Sequence, residues 1–135
     1  MQYLIQRQLS IAIENKPGRL ATIAGLMSKH DINIRNLCVV DNIEQGMIRL
    51  IPSDPQACRD LLQQANYFVV EADVLVFILK DNPGQLETVC HALDKAGINI
   101  EYAYGSEDAR EEAARIIVKV SNMPEAIKAI SELEG

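Results

Sequence analysis

The stretch Asn15-Lys16-Pro17-Gly18-Arg19-Leu20 decides the fold, because the chain contains it twice. It returns 66 positions later as Asp81-Asn82-Pro83-Gly84-Gln85-Leu86. Between residues 15–34 and 81–100, at this offset and without a gap, eight pairs are identical: Pro17/Pro83, Gly18/Gly84, Leu20/Leu86, Thr22/Thr88, Lys29/Lys95, Ile32/Ile98, Asn33/Asn99 and Ile34/Ile100. Matches at one fixed offset indicate an internal duplication. We therefore expect one small unit used twice, with units at 1–71 and 72–135.

Hydrophobic periodicity around each turn predicts the same elements. Residues 3–13 are predicted to form a strand, because Leu9, Ile11 and Ile13 alternate with Gln8, Ser10 and Ala12, which is typical of a strand with one buried face. After the Pro-Gly turn, the 3.6-residue spacing of apolar side chains predicts a helix to about His30. Strands at 32–40 and 47–51 follow, then a helix beginning at Ser53-Asp54-Pro55 and a short strand at 67–70. The order is strand, helix, strand, strand, helix, strand.

The second unit differs from the first in two ways. Its opening strand, 74–79, is apolar on both faces, so we expect a sheet-to-sheet or subunit contact to cover it. The chain also ends after a helix, so this unit lacks its last strand. The N-terminal Tyr3-Leu4-Ile5 extends beyond what the first unit requires and is a candidate to fill that edge. The only plausible boundary between the units is Glu71-Ala72-Asp73.

Composition limits the class of protein. The 135 residues, 48% of them hydrophobic, are enough for one average domain or two very small ones. A formal net charge of -6 without a cluster of Lys or Arg argues against nucleic acid as a partner. No stretch approaches the roughly 20 apolar residues of a membrane span, and the N-terminus does not read as a signal peptide.

The reactive side chains predict neither catalysis nor a metal. Cys38, Cys58 and Cys90 are odd in number and widely spaced, which favours reduced structural thiols and a cytoplasmic protein. His30 and His91 are not placed as a pair, and no spacing offers three or four convergent metal ligands. No nucleophile-base set, phosphate loop or carboxylate pair stands out. We expect no catalytic residue, no metal and no cofactor.

The six-element order, the Asn-x-Pro-Gly-x-Leu turn and the Ile-Asn-Ile strand start together resemble the ACT domain. The resemblance covers nearly the whole chain as two tandem copies. It implies an α+β fold of two ferredoxin-like βαββαβ units, with antiparallel sheets and helices on one face, the second unit lacking its last strand. It also implies a non-catalytic regulatory module that binds amino acids.

The chemistry of the turn fits a zwitterionic ligand. A carboxylate needs converging N–H donors, and a helix N-terminus offers free ones with a favourable dipole. The turns place such termini at Gly18-Arg19-Leu20 and at Gly84-Gln85-Leu86. Asn15 and Asp81 can accept from an ammonium, and an asparagine amide can both donate and accept.

The resemblance implies that the Asn or Asp before Pro-Gly and the Asn of the next strand line a site between adjacent domains. Carried over, these positions are Asn15, Asn33, Asp81 and Asn99, with the turn of one unit facing the strand of another. Asp81 adds a negative charge that disfavours a carboxylate, so the sites are unequal and Asn15 is favoured. The full expected set is Asn15, Pro17, Gly18, Arg19, Leu20, Asn33, Asp81, Pro83, Gly84, Gln85, Leu86 and Asn99. The same asparagines could also be ordinary turn and cap residues.

Three functions follow as hypotheses. The first is an amino-acid sensor, a homodimer whose ligand is a free amino acid held between units. The second is an accessory subunit that regulates an amino-acid biosynthetic enzyme by contact, with vestigial ligand sites. The third is a small ferredoxin-like enzyme, which the missing acid-base set disfavours.

Overall fold

The computed structural model describes residues 2–14, 16–41, 45–80, 83–108 and 113–134. These ranges form six strands and four helices. They are β1 (Gln2–Ile13), α1 (Arg19–Lys29), β2 (Ile34–Asp41), β3 (Gly46–Pro52), α2 (Pro55–Gln64), β4 (Val69–Lys80), α3 (Gln85–Lys95), β5 (Ile100–Asp108), β6 (Ala113–Val120) and α4 (Met123–Glu134). The predicted α+β class and the repeated βαββαβ pattern are confirmed.

The chain divides into two compact units. One contains Arg7–Ala72, and the other contains Asp73–Gly135 together with Met1–Gln6. The predicted units at 1–71 and 72–135 were drawn from the sequence repeat, and that division stays a prediction. The compact units show that the start of the chain belongs with the second repeat.

The unit Arg7–Ala72 has the strand order β2-β3-β1-β4. β1 and β2 both pair antiparallel with β3. The inward side chains of the predicted alternation, Leu9 and Ile11, are fully buried. They join Ile23 and Met27 of α1 and Leu62 of α2 in one core cluster, so the helices cover one face of the sheet.

In the second unit the order is β1-β4-β6-β5, with β6 antiparallel to both β4 and β5. In the first unit, β4 lies beside β1 as the last strand of the order. In the second unit, β1 lies beside β4 in the corresponding position. Tyr3 packs on the core cluster of this unit, around Leu75, Phe77, Val89 and Ile130. The expectation that the N-terminal segment fills the open edge is confirmed.

One prediction about the strands is wrong. The sequence predicts two separate strands, at 67–70 and 74–79, with the boundary between the units at Glu71-Ala72-Asp73. The compact units do divide after Ala72, but β4 runs without a break from Val69 to Lys80. Polar residues do not interrupt a strand where they face solvent or a partner. Asp73 is exposed, and Glu71 Oε2 lies 3.3 Å from Arg59 Nη1 of α2.

The both-faced burial of β4 is confirmed. Val74 and Val76 are fully buried, as are Leu75 and Phe77 on the helix-facing side. This burial is present in a single chain. A second subunit is therefore not needed to cover these residues.

The start of α2 agrees with its sequence signature. Asp54 is the N-cap, and its Oδ1 accepts a hydrogen bond of 3.1 Å from the Ala57 backbone N–H. Asn122 does the same before α4, where its Oδ1 accepts from the Glu125 N–H at 3.2 Å. Each cap satisfies one of the free donors at a helix start.

Candidate functional site

The first Pro-Gly turn is built around a left-handed glycine. Gly18 is the N-cap of α1 with φ 88°, a conformation that costs little only for glycine. Its carbonyl accepts from both the backbone N–H of Thr22, at 3.0 Å, and the Thr22 hydroxyl, at 2.9 Å. Thr22 thus holds the bend in place from the first turn of the helix.

The second turn repeats this geometry. Gly84 is the N-cap of α3 with φ 93°, and its carbonyl accepts from the Thr88 N–H at 3.0 Å and the Thr88 hydroxyl at 2.9 Å. The neighbouring residues match as well: Pro17 and Pro83 are exposed, and Leu20 and Leu86 expose large apolar side chains. The duplication in the sequence is therefore a duplication in backbone geometry.

Both bends are open. A methyl group built on Gly18 or Gly84 meets nothing within 4 Å. Neither helix start receives a side-chain cap from the described residues. No described residue therefore gives the first N–H groups of α1 and α3 the capping oxygen that Asp54 gives α2, and such N–H groups can bind a carboxylate.

Charged side chains distinguish the first turn. Glu14 Oε2 lies 2.9 Å from Lys16 Nζ and 3.4 Å from Arg19 Nη2. The Lys16 hydrogen bond and charge, followed by those of Arg19, hold the pKa of the Glu14 carboxyl below its usual value. All three side chains are solvent-accessible, so this network is screened and open to competition from a ligand. In the second repeat the corresponding residues are Lys80, Asn82 and Gln85.

Asn15 and Asp81 lie outside the described residues, so their predicted roles stay predictions. Asn33 and Asn99 are described and exposed. Each is held through its backbone: the Asn33 N–H donates to Ser53 Oγ at 2.9 Å and its carbonyl accepts from the Ser53 N–H at 2.8 Å. Asn99 makes the same pair with Ser121, at 3.1 and 3.0 Å.

Ser53 and Ser121 were missed in the sequence. Their reciprocal bonds fix where β2 and β5 begin and leave the Asn33 and Asn99 amides facing solvent. The available signal was Ser-Asp at 53–54 and Ser-Asn at 121–122, each just before a helix. Its offset of 68 differs from the 66 of the turns, which hides it from a search at one fixed spacing.

The structure does not bring the turn and the strand asparagine of one unit together. Gly18 begins α1, whereas Asn33 follows its end, and the 11 residues of α1 span roughly 16 Å. A ligand of amino-acid size cannot contact both within one unit. The expectation that the turn of one unit faces the strand of another stays a prediction.

The two histidines have local roles. His30 Nδ1 lies 3.1 Å from the Leu26 carbonyl at the end of α1, and His91 Nε2 lies 3.4 Å from Glu87 Oε1 on α3.

Cys38, Cys58 and Cys90 are free thiols, and burial raises the pKa of Cys58 to about 11. Among the described residues no group of three or more His, Cys, Asp or Glu side chains could hold a metal ion. Nor does this part of the chain contain a helix that is both long and apolar enough to cross a membrane.

A pair of glycine substitutions tests the bend. Gly18→Ala should lower the free energy of unfolding by about 1 kcal/mol, because φ 88° is strained for alanine although space is free. The matched control Gly25→Ala, in the exposed middle of α1 with equal space, should raise it by roughly 0.5–1 kcal/mol. Urea denaturation measures both, and changes of the same sign would contradict the left-handed bend.

Residues 4–130 match the family described as the ACT domain pair. The chain belongs to this family. Among solved structures, this ACT domain pair is similar to protein BT0572 from Bacteroides thetaiotaomicron, with 32% identity, 98% of this chain and 90% of that chain covered, and a TM-score of 0.89.

More distant structures share the fold. The regulatory subunit of aspartate kinase from Thermus thermophilus, in a ligand-free form, is 13% identical with a TM-score of 0.72, covering 98% of this chain and 97% of that one. The Thermus flavus subunit is 14% identical with a TM-score of 0.66, covering 100% and 98%. A search of the curated proteins gives no match.

Proposed function

We propose that this ACT domain pair is a non-catalytic regulatory protein that binds a free amino acid at its Pro-Gly turns. One observation carries the proposal: at both turns a helix start that no described side chain caps lies beside a glycine with open space. Converging backbone N–H groups and the helix dipole favour a carboxylate at such a place. Family membership adds support, because the match spans both turns.

The first turn is the stronger site in this proposal. Arg19 and Lys16 add positive charge next to the N-terminus of α1, whereas the second turn has Gln85 and Asn82 at these positions. Asn15 accepts from the ligand ammonium, while Asp81 brings a charge that repels a carboxylate. Pro17 and Pro83 set the backbone, and Leu20 and Leu86 offer apolar contact.

A homodimer completes the site in this proposal. Asn33 or Asn99 reaches the ligand from a second unit, since each lies far from its own turn. Leu37 and Val39 leave apolar surface exposed on β2, the edge strand of its unit, which supports self-association. Three free cysteines agree with a reduced, cytoplasmic setting.

Regulation follows from differential binding. A ligand shifts an equilibrium between two arrangements only by its difference in affinity for them. An amino acid has roughly ten heavy atoms, which limits its affinity, and micromolar-to-millimolar binding suits a sensor of metabolite pools.

A thermal-unfolding screen of the twenty amino acids tests the proposal. A ligand that binds only the native state, at a concentration one hundred times its dissociation constant, adds about 2.7 kcal/mol to the free energy of unfolding. This should raise Tm by several degrees. Asn15→Ala should abolish this response without loss of folding. The control Gln63→Ala, which removes an exposed amide from α2, should leave it intact. The absence of any response in the unchanged protein would contradict amino-acid binding.

The second candidate is an accessory subunit that regulates an amino-acid biosynthetic enzyme by contact. The solved aspartate kinase regulatory subunits favour it, since their fold covers at least 98% of this chain. Co-purification with a biosynthetic enzyme, together with no change in Tm in the amino-acid screen, would support this function over sensing.

A further inference from the structure

The unit Arg7–Ala72 has an open depression of about 930 Å³ beside the first Pro-Gly turn. Its lining combines the charged residues Glu14, Lys16 and Arg19 with the apolar surfaces of Ala12, Tyr67 and Phe68. The volume lies within the range of small-molecule sites, roughly 300–1,000 Å³. An amino acid with an apolar side chain needs charged groups and apolar surface in the same site.

Phe68 is the unusual member of this lining. Its side chain is 72% exposed, although aromatic rings gain most from burial. Its backbone is fixed, because the Phe68 carbonyl accepts from the Ala12 N–H at 3.2 Å and the Tyr67 N–H donates to the Leu62 carbonyl at 3.0 Å. Tyr67 packs on the core cluster, and alternation along an extended chain then directs Phe68 away from that core. The ring is thus held in solvent by a fixed backbone.

The charged residues match both ends of a zwitterion. Lys16 and Arg19 outnumber Glu14, so the group carries a net positive charge that favours a carboxylate. Glu14 can accept from an ammonium. The repeat does not preserve this set, since Lys80 stands at the position of Glu14 and Gln85 at that of Arg19.

We propose that the depression holds the side chain of the amino-acid ligand, and that the ligand is an amino acid with a large apolar side chain, aromatic ones above all. Phe68 contacts this side chain, while Arg19 and Lys16 hold the carboxylate. The inference rests on the proposed amino-acid binding at this turn and adds the class of amino acid.

Titration calorimetry with L-phenylalanine, L-leucine, L-alanine and glycine tests the inference. L-Phenylalanine should bind at least tenfold more tightly than glycine. Phe68→Ala should weaken the binding of L-phenylalanine about tenfold and leave the binding of glycine unchanged. The matched control Val70→Ala should change neither, because Val70 is 50% exposed but does not line the depression. Arg19→Gln, which introduces the residue of the second repeat, should weaken the binding of all four amino acids. Phenethylamine, which lacks the carboxylate, should bind the unchanged protein more weakly than L-phenylalanine does.

Three results would overturn the inference. Glycine could bind as tightly as L-phenylalanine, which would leave amino-acid sensing intact and remove the apolar preference. Phe68→Ala could weaken both ligands equally, which would place the ring outside the side-chain site. Phe68→Ala could also halve the ligand-free mass in sedimentation, which would assign the ring to contact between copies. If no amino acid binds, the proposed function itself fails, and this result is distinct from the other three.

Discussion

Deletion of residues 2–6 should unfold the second compact unit while the first remains folded. These residues belong to β1 but lie within the unit of Asp73–Gly135, where β1 stands beside β4. The deletion removes Tyr3 from the core cluster and Gln6 Oε1 from its 3.2 Å hydrogen bond with Arg115 Nη2. Lost apolar burial and lost strand hydrogen bonds together amount to on the order of 3–6 kcal/mol.

Hydrogen exchange measures this effect by region. Amides of 75–79 and 116–120 should lose protection, while those of 9–11 and 48–51 should keep it. The matched control removes a similar length, 132–135, from the other end of the chain, where Glu132 and Leu133 are exposed. That truncation should lower the free energy of unfolding by less than about 1 kcal/mol. Equal protection in both regions after deletion of 2–6 would show that the N-terminal segment is not part of the second unit.

Phe77→Ala should lower the free energy of unfolding by about 3–5 kcal/mol. Phe77 is fully buried in β4, opposite Ile116 of β6, and lies in the core cluster with Val89 of α3. Removing its ring leaves a cavity that a close-packed core refills only in part.

The chain has two phenylalanines, and the other is the control. Phe68→Ala removes the same atoms from a side chain that is 72% exposed, and its effect should stay within about 0.5 kcal/mol. Urea unfolding with both variants gives the comparison. Similar losses at Phe68 and Phe77 would mean that Phe68 is covered in solution, which would contradict the open depression at the first turn.

The sequence predicted the local elements well where short-range chemistry decides them. The alternation around Leu9 and Ile11, the cap at Asp54 and the two left-handed glycines each depend on residues within one turn or strand. The family resemblance is confirmed for the same reason, since it rests on the repeated turn and the order of elements.

Prediction was weaker where distant residues decide. Glu71-Ala72-Asp73 was predicted to be a boundary between two strands, yet it lies within β4, whose residues 74–77 are buried and whose Glu71 pairs with Arg59 of α2. The serine bonds that hold Asn33 and Asn99 join residues 20 and 22 positions apart, beyond any local pattern.

The sequence by itself determined that a βαββα unit occurs twice and that each copy has a glycine bend before its first helix. Backbone conformation and hydrophobic periodicity are local properties, so they are readable from neighbouring residues. Only the tertiary structure decided that residues 2–6 complete the second unit, that Phe77 is buried while Phe68 is exposed, and that a turn lies far from the asparagine of its own unit. These facts depend on which surfaces meet after folding, and packing between distant segments leaves no fixed spacing in the chain.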